Sequence, residues 1–506
     1  MPVLTIDHHP VSVPDGSTIL DAAVAAGVAI PTICFRGGCS ASTSCMVCVV
    51  KLHGRANFVP ACSMPAEDGM EVESETPEVF AARRTALELL LSDHAGDCEA
   101  PCRFLCPAGI NIPEMLRAIG RNAWEESLEI IRRDTPLAAV LGYTCSRPCE
   151  KGCRRGIADK SVDICTLKRN VAVWGLESNI PDSRPPAEPR EETVAVIGAG
   201  PAGITAAYFL RRWGFQVTIF EKASHAGGRL RTEYETQLPA YILRRELQFA
   251  LPEGIPEFQV NYDSPVEDEE TFYDLTSDFG AVLIAAPQDF LKEKLTSQRK
   301  SCATRLPNVF AAGSGVIAES SGKKPIIRSV AEGRDAAESI RQFLAHRQPE
   351  GKEAFYSVRL GKPTKDEMDS LLGSRRPPSG GELPNDNPLR FSAATEAARC
   401  LHCDCRAAET CRLRIHAREY HADAKRFSAE TPRRENLVDA RHTKILFESG
   451  KCIACGLCIQ SGLAWFGRGY DVRVGIPFAD LPEDAIPPDL LEECVRRCPT
   501  AAIAWR

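Results

Sequence analysis

Twenty-two cysteines in a chain of 506 residues gather into four groups of fixed internal spacing. Between the second and third groups runs TVAVIGAGPAGITAA, an apolar strand, a glycine-rich turn and the start of a helix. Thiols this dense, at short regular gaps, point in a reducing compartment to ligation of metal ions or clusters rather than to disulfides. Each group must close on a shared centre, so the spacings constrain the fold more than any other feature.

The first group is Cys34, Cys45, Cys48 and Cys62, with ten, two and thirteen residues between successive members. The segment MVCVVKL reads as a strand returning after a helix, and the pattern predicts a loop before it where the four thiols converge. Four buried thiols in an ordinary fold are the competing reading. A plant-type spacing would use Cys39 and need a cysteine at 42, where the chain has Ser42. The spacing instead resembles the N-terminal ferredoxin domain of the large iron–sulfur subunit of complex I and of related hydrogenase and formate dehydrogenase subunits, over roughly the first 95 residues. That resemblance implies one [2Fe–2S] cluster on these residues.

The second group begins with His94, Cys98, Cys102 and Cys106 and resumes with Cys145, Cys149, Cys153 and Cys165. RRTALELLLSDHAGDC resembles the His-plus-three-Cys region of the complex I subunit, but the following gaps of three and three depart from it. CPAGINIPEML, GYTCSRPCEKGCRRG and VDICTLKR resemble the helical bis-[4Fe–4S] domain of the glutamate synthase small subunit and of dihydropyrimidine dehydrogenase. In that family each cluster draws on both halves, which implies His94, Cys98, Cys102 and Cys153 for one and Cys106, Cys145, Cys149 and Cys165 for the other. The family has a Glu or Gln ligand three residues after the position of Cys165. Here stands Lys168, a cation that cannot ligate, so the resemblance hands the role to Cys165.

The third group, Cys400, Cys403, Cys405 and Cys411, suits one [4Fe–4S] cluster, with structural zinc as the alternative. The fourth follows the bacterial ferredoxin run, with Cys452, Cys455 and Cys458 at two-residue gaps and a remote Cys498 before Pro499. A two-cluster ferredoxin would carry a cysteine at 462, where Gly462 stands, so one [4Fe–4S] cluster is expected. Cys494 and Cys302 are left over.

Gly198, Gly200 and Gly203 follow the strand TVAVI, open a helix and precede QVTIFE, whose Glu221 ends the next strand. In such a βαβ unit the glycines allow the turn and close approach of a pyrophosphate, and the acidic residue accepts from ribose hydroxyls. The run Glu221-Lys222 through Gly228-Arg229 is similar to that of two-dinucleotide flavoproteins, and LPNVFAAGSG with IIRSVAEGRDAAESI resembles the second FAD motif of the glutamate synthase small subunit. The resemblance implies FAD on Gly198, Gly200, Pro201, Ala202, Gly203, Glu221, Lys222, Gly228, Arg229, Gly313 and Ser314. Two departures matter. Only about 90 residues separate Glu221 from Phe310, with no second glycine fingerprint, so the family's NADPH domain is missing. The usual Gly-Asp reads Gly313-Ser314, which leaves open an empty, purely structural Rossmann unit.

The expected fold is multidomain, α+β and α/β: a β-grasp [2Fe–2S] ferredoxin over 1–78, a helical bis-[4Fe–4S] domain over 79–180, a truncated Rossmann-type FAD domain over 192–346, a cysteine-cluster segment over 389–430 and a [4Fe–4S] ferredoxin-like domain over 440–506. Pro-rich breaks at 177–192 and 374–388 read as linkers, and a helix around RLRIHAREYHADAKRF as exposed. A formal charge of −7 excludes a basic field for nucleic acid. No charged leader or run of 18 apolar residues is found, so a cytoplasmic, non-spanning protein is expected.

One [2Fe–2S], four [4Fe–4S] and one FAD in one chain predict an electron-transfer subunit of a multi-subunit oxidoreductase. Its partners by resemblance are a flavin-bearing NADH dehydrogenase-type subunit, a hydrogenase, a formate dehydrogenase or ferredoxin, with the catalytic end site on a partner. A flavin among clusters also permits electron bifurcation. The alternatives are a glutamate synthase-like NAD(P)H oxidoreductase acting directly on FAD, and a scaffold with structural clusters.

Overall fold

A computed structural model of the chain describes residues 1–184, 187–291, 300–315, 324–373, 388–427, 433–440, 444–467, 473–475 and 487–505. The N-terminal alternation becomes strands β1 (Val3–Ile6) and β2 (His9–Ser12), which turn back on each other through Asp7 and His8, both at positive φ. They join β3 (Val49–Leu52), β4 (Phe58–Pro60) and β5 (Glu71–Glu73) in the sheet order β2-β1-β5-β3-β4, with β1 and β5 parallel. Helix Ile19–Ala25 starts at a capping box between Thr18 and Asp21, and it buries Ile19, Leu20, Ala22 and Ala23 against Leu4, Ile6, Val50 and Val72 of the sheet. A helix laid on this mixed sheet is the expected ferredoxin architecture.

The chain forms two compact units, one from Met1–Ala100, Phe355–Arg375 and Cys403–Arg506, the other from Pro101–Ala354 and Arg376–His402. In the first, helix Pro77–Asp93 starts at the N-cap Thr76 with proline in its first turn and buries Val79, Arg83, Leu87 and Leu91. Leu87 and Leu91 meet Leu413 and Ala417 of helix Arg412–Glu419. That helix was expected to be exposed; its apolar stripe is buried because the partner lies at the far end of the sequence. The remaining strands are β11 (Val438–Asp439), β12 (Ile445–Glu448), β13 (Ala464–Phe466), β14 (Arg473–Gly475) and β15 (Ile503–Trp505), with β11-β12-β15 forming one antiparallel sheet.

The second unit opens with short helices, Ile112–Gly120, Trp124–Arg132, Ala138–Thr144 and Ile164–Glu177 among them. A parallel sheet follows, ordered β10 (Val309–Ala311), β9 (Ala281–Ile284), β6 (Thr193–Ile197), β7 (Gln216–Phe220), β8 (Phe258–Asn261). β6 and β9 are buried along nearly their whole length, as in a sheet covered on both faces. Helix Pro201–Arg212 packs on helix Ile326–Leu344. The first expected linker is not a free tether. Asp182 takes hydrogen bonds from Tyr208 and Arg212, each at 2.5 Å, and pairs with Arg184, so the segment is docked onto the Rossmann unit by ionic contacts that composition does not reveal. The second break falls almost wholly outside the described residues.

Candidate metal centres and nucleotide site

Two backbone events bring the first group together. The loop after helix Ile19–Ala25 carries Cys34 and Cys45, and Cys48 sits one residue before β3. Cys62 does not lie in that loop, as the pattern suggested. It follows β4, and the β3–β4 pairing returns it to Cys48, with the Ala61 amide donating to the Cys48 carbonyl at 3.1 Å. All four thiols are buried. A hydrogen bond from Cys45 pulls Cys34 down to about 5 and one from Cys62 pulls Cys48 down to about 7, while the same bonds push Cys45 and Cys62 up. Each pair thus shares a proton that cluster binding would displace.

Cys106, Cys145, Cys149 and Cys165 line one small apolar cavity together with Lys168 and Ile327. Cys165 hydrogen-bonds Cys145 and draws it down to about 7, while burial and the neighbouring Cys106 push Cys149 up to about 12. Lys168 is 6% exposed. Burial works against its charge, yet the thiols of Cys165, Cys145, Cys106 and Cys149 together hold its ammonium above the ordinary lysine range. A cation among four thiols matches a centre whose ligands are anionic.

Cys452, Cys455, Cys458 and Cys498 line a second cavity with Ile453, Val474 and Ile503. The loop between the first three turns through positive φ at Ala454 and Gly456, and Cys498 caps helix Pro488–Arg497. Burial pushes Cys455 up to about 12. Cys494, left over in the pattern, bonds the Cys458 carbonyl at 3.8 Å, and Cys302 the Glu332 carbonyl at the same distance.

The other expected sets are distributed differently. His94 and Cys98 belong to the first compact unit, Cys102 and Cys153 to the second; likewise Cys403, Cys405 and Cys411 to the first and Cys400 to the second. Within the first unit the Cys405 amide donates to the Cys98 carbonyl at 3.1 Å, and the Cys411 thiol is held up at about 12 by burial and by the neighbouring Cys405. Burial and the nearby Lys451 cation hold the His94 imidazole down at about 4, hence neutral. Lys451, 2% exposed, donates to Glu448 at 2.6 Å. The lysine escaped sequence reasoning because nothing but its place before Cys452 marks it. Among the described residues no three Cys, His, Asp or Glu side chains stand close enough to share one ion; a [4Fe–4S] cluster takes one donor per iron.

At the nucleotide turn Gly198 adopts φ +104°, and a Cβ on Gly203 would stand 1.9 Å from the Gly198 carbonyl oxygen, so the helix can approach the strand only without a side chain. Glu221 is the first residue after β7 rather than its last, and its two oxygens accept from the Ala199 amide at 2.6 Å and the Ala223 amide at 2.9 Å, which holds both turns in place. Gly228 lies against Gly200, and Arg229 donates to the Lys324 carbonyl and pairs with Glu233. The Ser314 hydroxyl donates to the Ala285 carbonyl at 3.0 Å. Glu332, on helix Ile326–Leu344, accepts from the Gly313 amide at 2.9 Å and from Lys324 at 2.7 Å, so a carboxylate lies beside the second motif and is engaged within the fold. Only the tertiary packing reveals that contact. Lys222 is exposed to solvent directly after Glu221.

Residues 3–77 match the 2Fe-2S iron-sulfur cluster binding domain, 91–180 the 4Fe-4S domain II of dihydropyrimidine dehydrogenase, and 196–251 an NAD(P)-binding Rossmann-like domain. The chain is 34% identical over 189 residues to the NADPH-Fe(3+) oxidoreductase subunit beta of Geobacter sulfurreducens, covering 37% of this chain and 28% of that one. It is 40% identical over 208 residues to the NADP(+)-dependent formate dehydrogenase subunit beta of Moorella thermoacetica, 37% and 29% of the two chains. It is 48% identical over 103 residues to the NADP-reducing hydrogenase subunit HndD of Solidesulfovibrio fructosivorans, 19% and 18%. Each match spans less than a third of the relative's length. The chain thus joins a [2Fe–2S] domain, a dihydropyrimidine dehydrogenase-type [4Fe–4S] domain and a Rossmann-like dinucleotide domain, the makeup of an iron–sulfur oxidoreductase subunit.

Proposed function

We propose that the chain is the electron-transfer subunit of a cytoplasmic, multi-subunit oxidoreductase, with one [2Fe–2S], four [4Fe–4S] and FAD, and with end sites on partners such as a formate dehydrogenase, a hydrogenase, an NADH dehydrogenase-type flavin subunit or ferredoxin. Iron–sulfur clusters exchange single electrons, and a flavin exchanges one or two. The carrying observation is that Cys34 and Cys45 of the first group, Cys411 of the third and Cys455 of the fourth share one buried apolar cluster with Ile33, Val47 and Leu87. Donor groups from opposite ends of the sequence are therefore neighbours, as a series of one-electron centres requires. The apolar packing excludes water from these thiols, and in the two other thiol sets Lys451 beside Cys405 and Lys168 among Cys106, Cys145, Cys149 and Cys165 offset negative charge. No helix among the described residues is long and apolar enough to cross a membrane.

A second reading, direct reaction with NAD(P)H, is favoured by the match of 196–251 to an NAD(P)-binding family. The two separate on anaerobically purified protein. The relay reading expects iron, acid-labile sulfide, FAD and co-purifying oxidoreductase subunits, with the isolated chain's flavin unchanged by NADPH. Bleaching of that flavin by NADPH supports the second reading, and an iron-poor, colourless chain ends both.

A further inference from the structure

We propose that His94, Cys98, Cys405 and Cys411 are the four donors of one [4Fe–4S] cluster, assembled from two distant stretches of the chain. This exchanges donors between the second and third groups and leaves the number of candidate donors unchanged. It rests on the iron–sulfur reading above, and not on which partner the chain serves.

Four observations within one compact unit carry it. Helix Pro77–Asp93 stops at His94, whose backbone turns extended, and the Ala95 amide then donates to the Gly450 carbonyl at 2.7 Å, so the chain is led across the unit rather than onward as a helix. Four residues on, Cys98 is fixed between the Val358 carbonyl, which accepts from its amide, and the Cys405 amide, which donates to its carbonyl. Cys411, 6% exposed, stands at the N-terminal cap of helix Arg412–Glu419, and Cys405 and Cys98 lie near its thiol. His94 is 8% exposed, the Lys451 backbone hydrogen-bonds its ring, and its Nδ1 has no hydrogen-bond partner.

A buried imidazole nitrogen without a partner is a standing cost unless something takes its lone pair. A ring held on one side by a backbone group and open on the other is the arrangement of a ligating histidine. The surroundings have the complementary charge. The Lys451 stem lies against Gly96, its ammonium faces Cys405, and Arg414, which pairs with Glu99 at 2.6 Å, faces Cys98. Three thiolates and one neutral imidazole beside these cations give a centre of lower negative charge than four thiolates would.

The test uses the full chain, purified anaerobically with its partners, and reads individual reduced clusters by EPR and total iron by analysis. Cys98→Ser, Cys405→Ser and Cys411→Ser should each remove the same [4Fe–4S] signal while the [2Fe–2S] signal, a control for folding, stays. Pulsed EPR of that signal should show nitrogen coupling that His94→Cys abolishes without loss of the cluster. Loss of one signal by Cys98→Ser and a different one by Cys405→Ser, or absence of nitrogen coupling, would overturn the assignment while leaving iron content and the relay reading intact. A chain without iron would overturn both.

Discussion

Val49 and Pro60 stand opposite each other in the antiparallel pair β3–β4, and this register sets Cys62 beside Cys48. The thirteen-residue gap between the two cysteines is that hairpin, Val49–Pro60, plus Ala61. Cys48→Ser should therefore abolish the [2Fe–2S] EPR signal and remove about two irons per chain, with flavin content unchanged. Persistence of the signal would exclude Cys48 as a donor.

Among the described residues, Lys168 is the only cation lining the cavity of Cys106, Cys145, Cys149 and Cys165. Reduction adds negative charge there, which the ammonium stabilises. Lys168→Met should keep the cluster and shift its midpoint potential to more negative values, by on the order of 60 mV for each 1.4 kcal/mol of lost stabilisation. EPR-monitored redox titration measures it, and an unchanged potential would show the charge to be screened.

Gly203 leaves no room for a methyl group, since its Cβ would meet the Gly198 carbonyl at 1.9 Å. Gly203→Ala should force the helix off the strand, at a cost of roughly 1–3 kcal/mol, and lower the flavin-to-protein ratio while the cluster signals of the first compact unit remain. Undiminished flavin would place the dinucleotide elsewhere.

Glu246 accepts from the amides of Ala139 and Val140 at 2.7 and 2.6 Å at the start of helix Ala138–Thr144. Burial raises its carboxyl from 4.5 to about 7. Because the folded state holds this proton more tightly than the unfolded state, the group's contribution to stability falls as pH rises from 4.5 to about 7, by at most about 3 kcal/mol. Thermal midpoints at pH 5 and pH 7 should therefore diverge less in Glu246→Gln than in the native chain; identical divergence would remove Glu246 as the cause.

Much of the site was legible because ligand spacing and the glycine fingerprint are local codes. Cys452, Cys455 and Cys458 can reach one centre from a single loop, and Gly198, Gly200 and Gly203 act within one strand–turn–helix, so neighbours in sequence are neighbours in space. That Cys106, Cys145, Cys149 and Cys165 line one cavity has a related reason, since short helices return the chain over a modest distance. Glu332 and Lys451 were not: they act on Gly313 and Cys405 from other elements, and no local pattern records which helix will pack against which turn.

The amino-acid sequence alone determined the inventory, namely the thiols and their spacing, where the glycine turn lies and that a second glycine fingerprint is missing between Glu221 and Phe310, because these depend on residue type and short spacing. Tertiary structure alone decided the company each group keeps. The burial of Leu413 and Ala417 against Leu87 and Leu91 carries Cys405 and Cys411 to Cys98, and that contact is set by apolar packing between segments the chain order holds far apart.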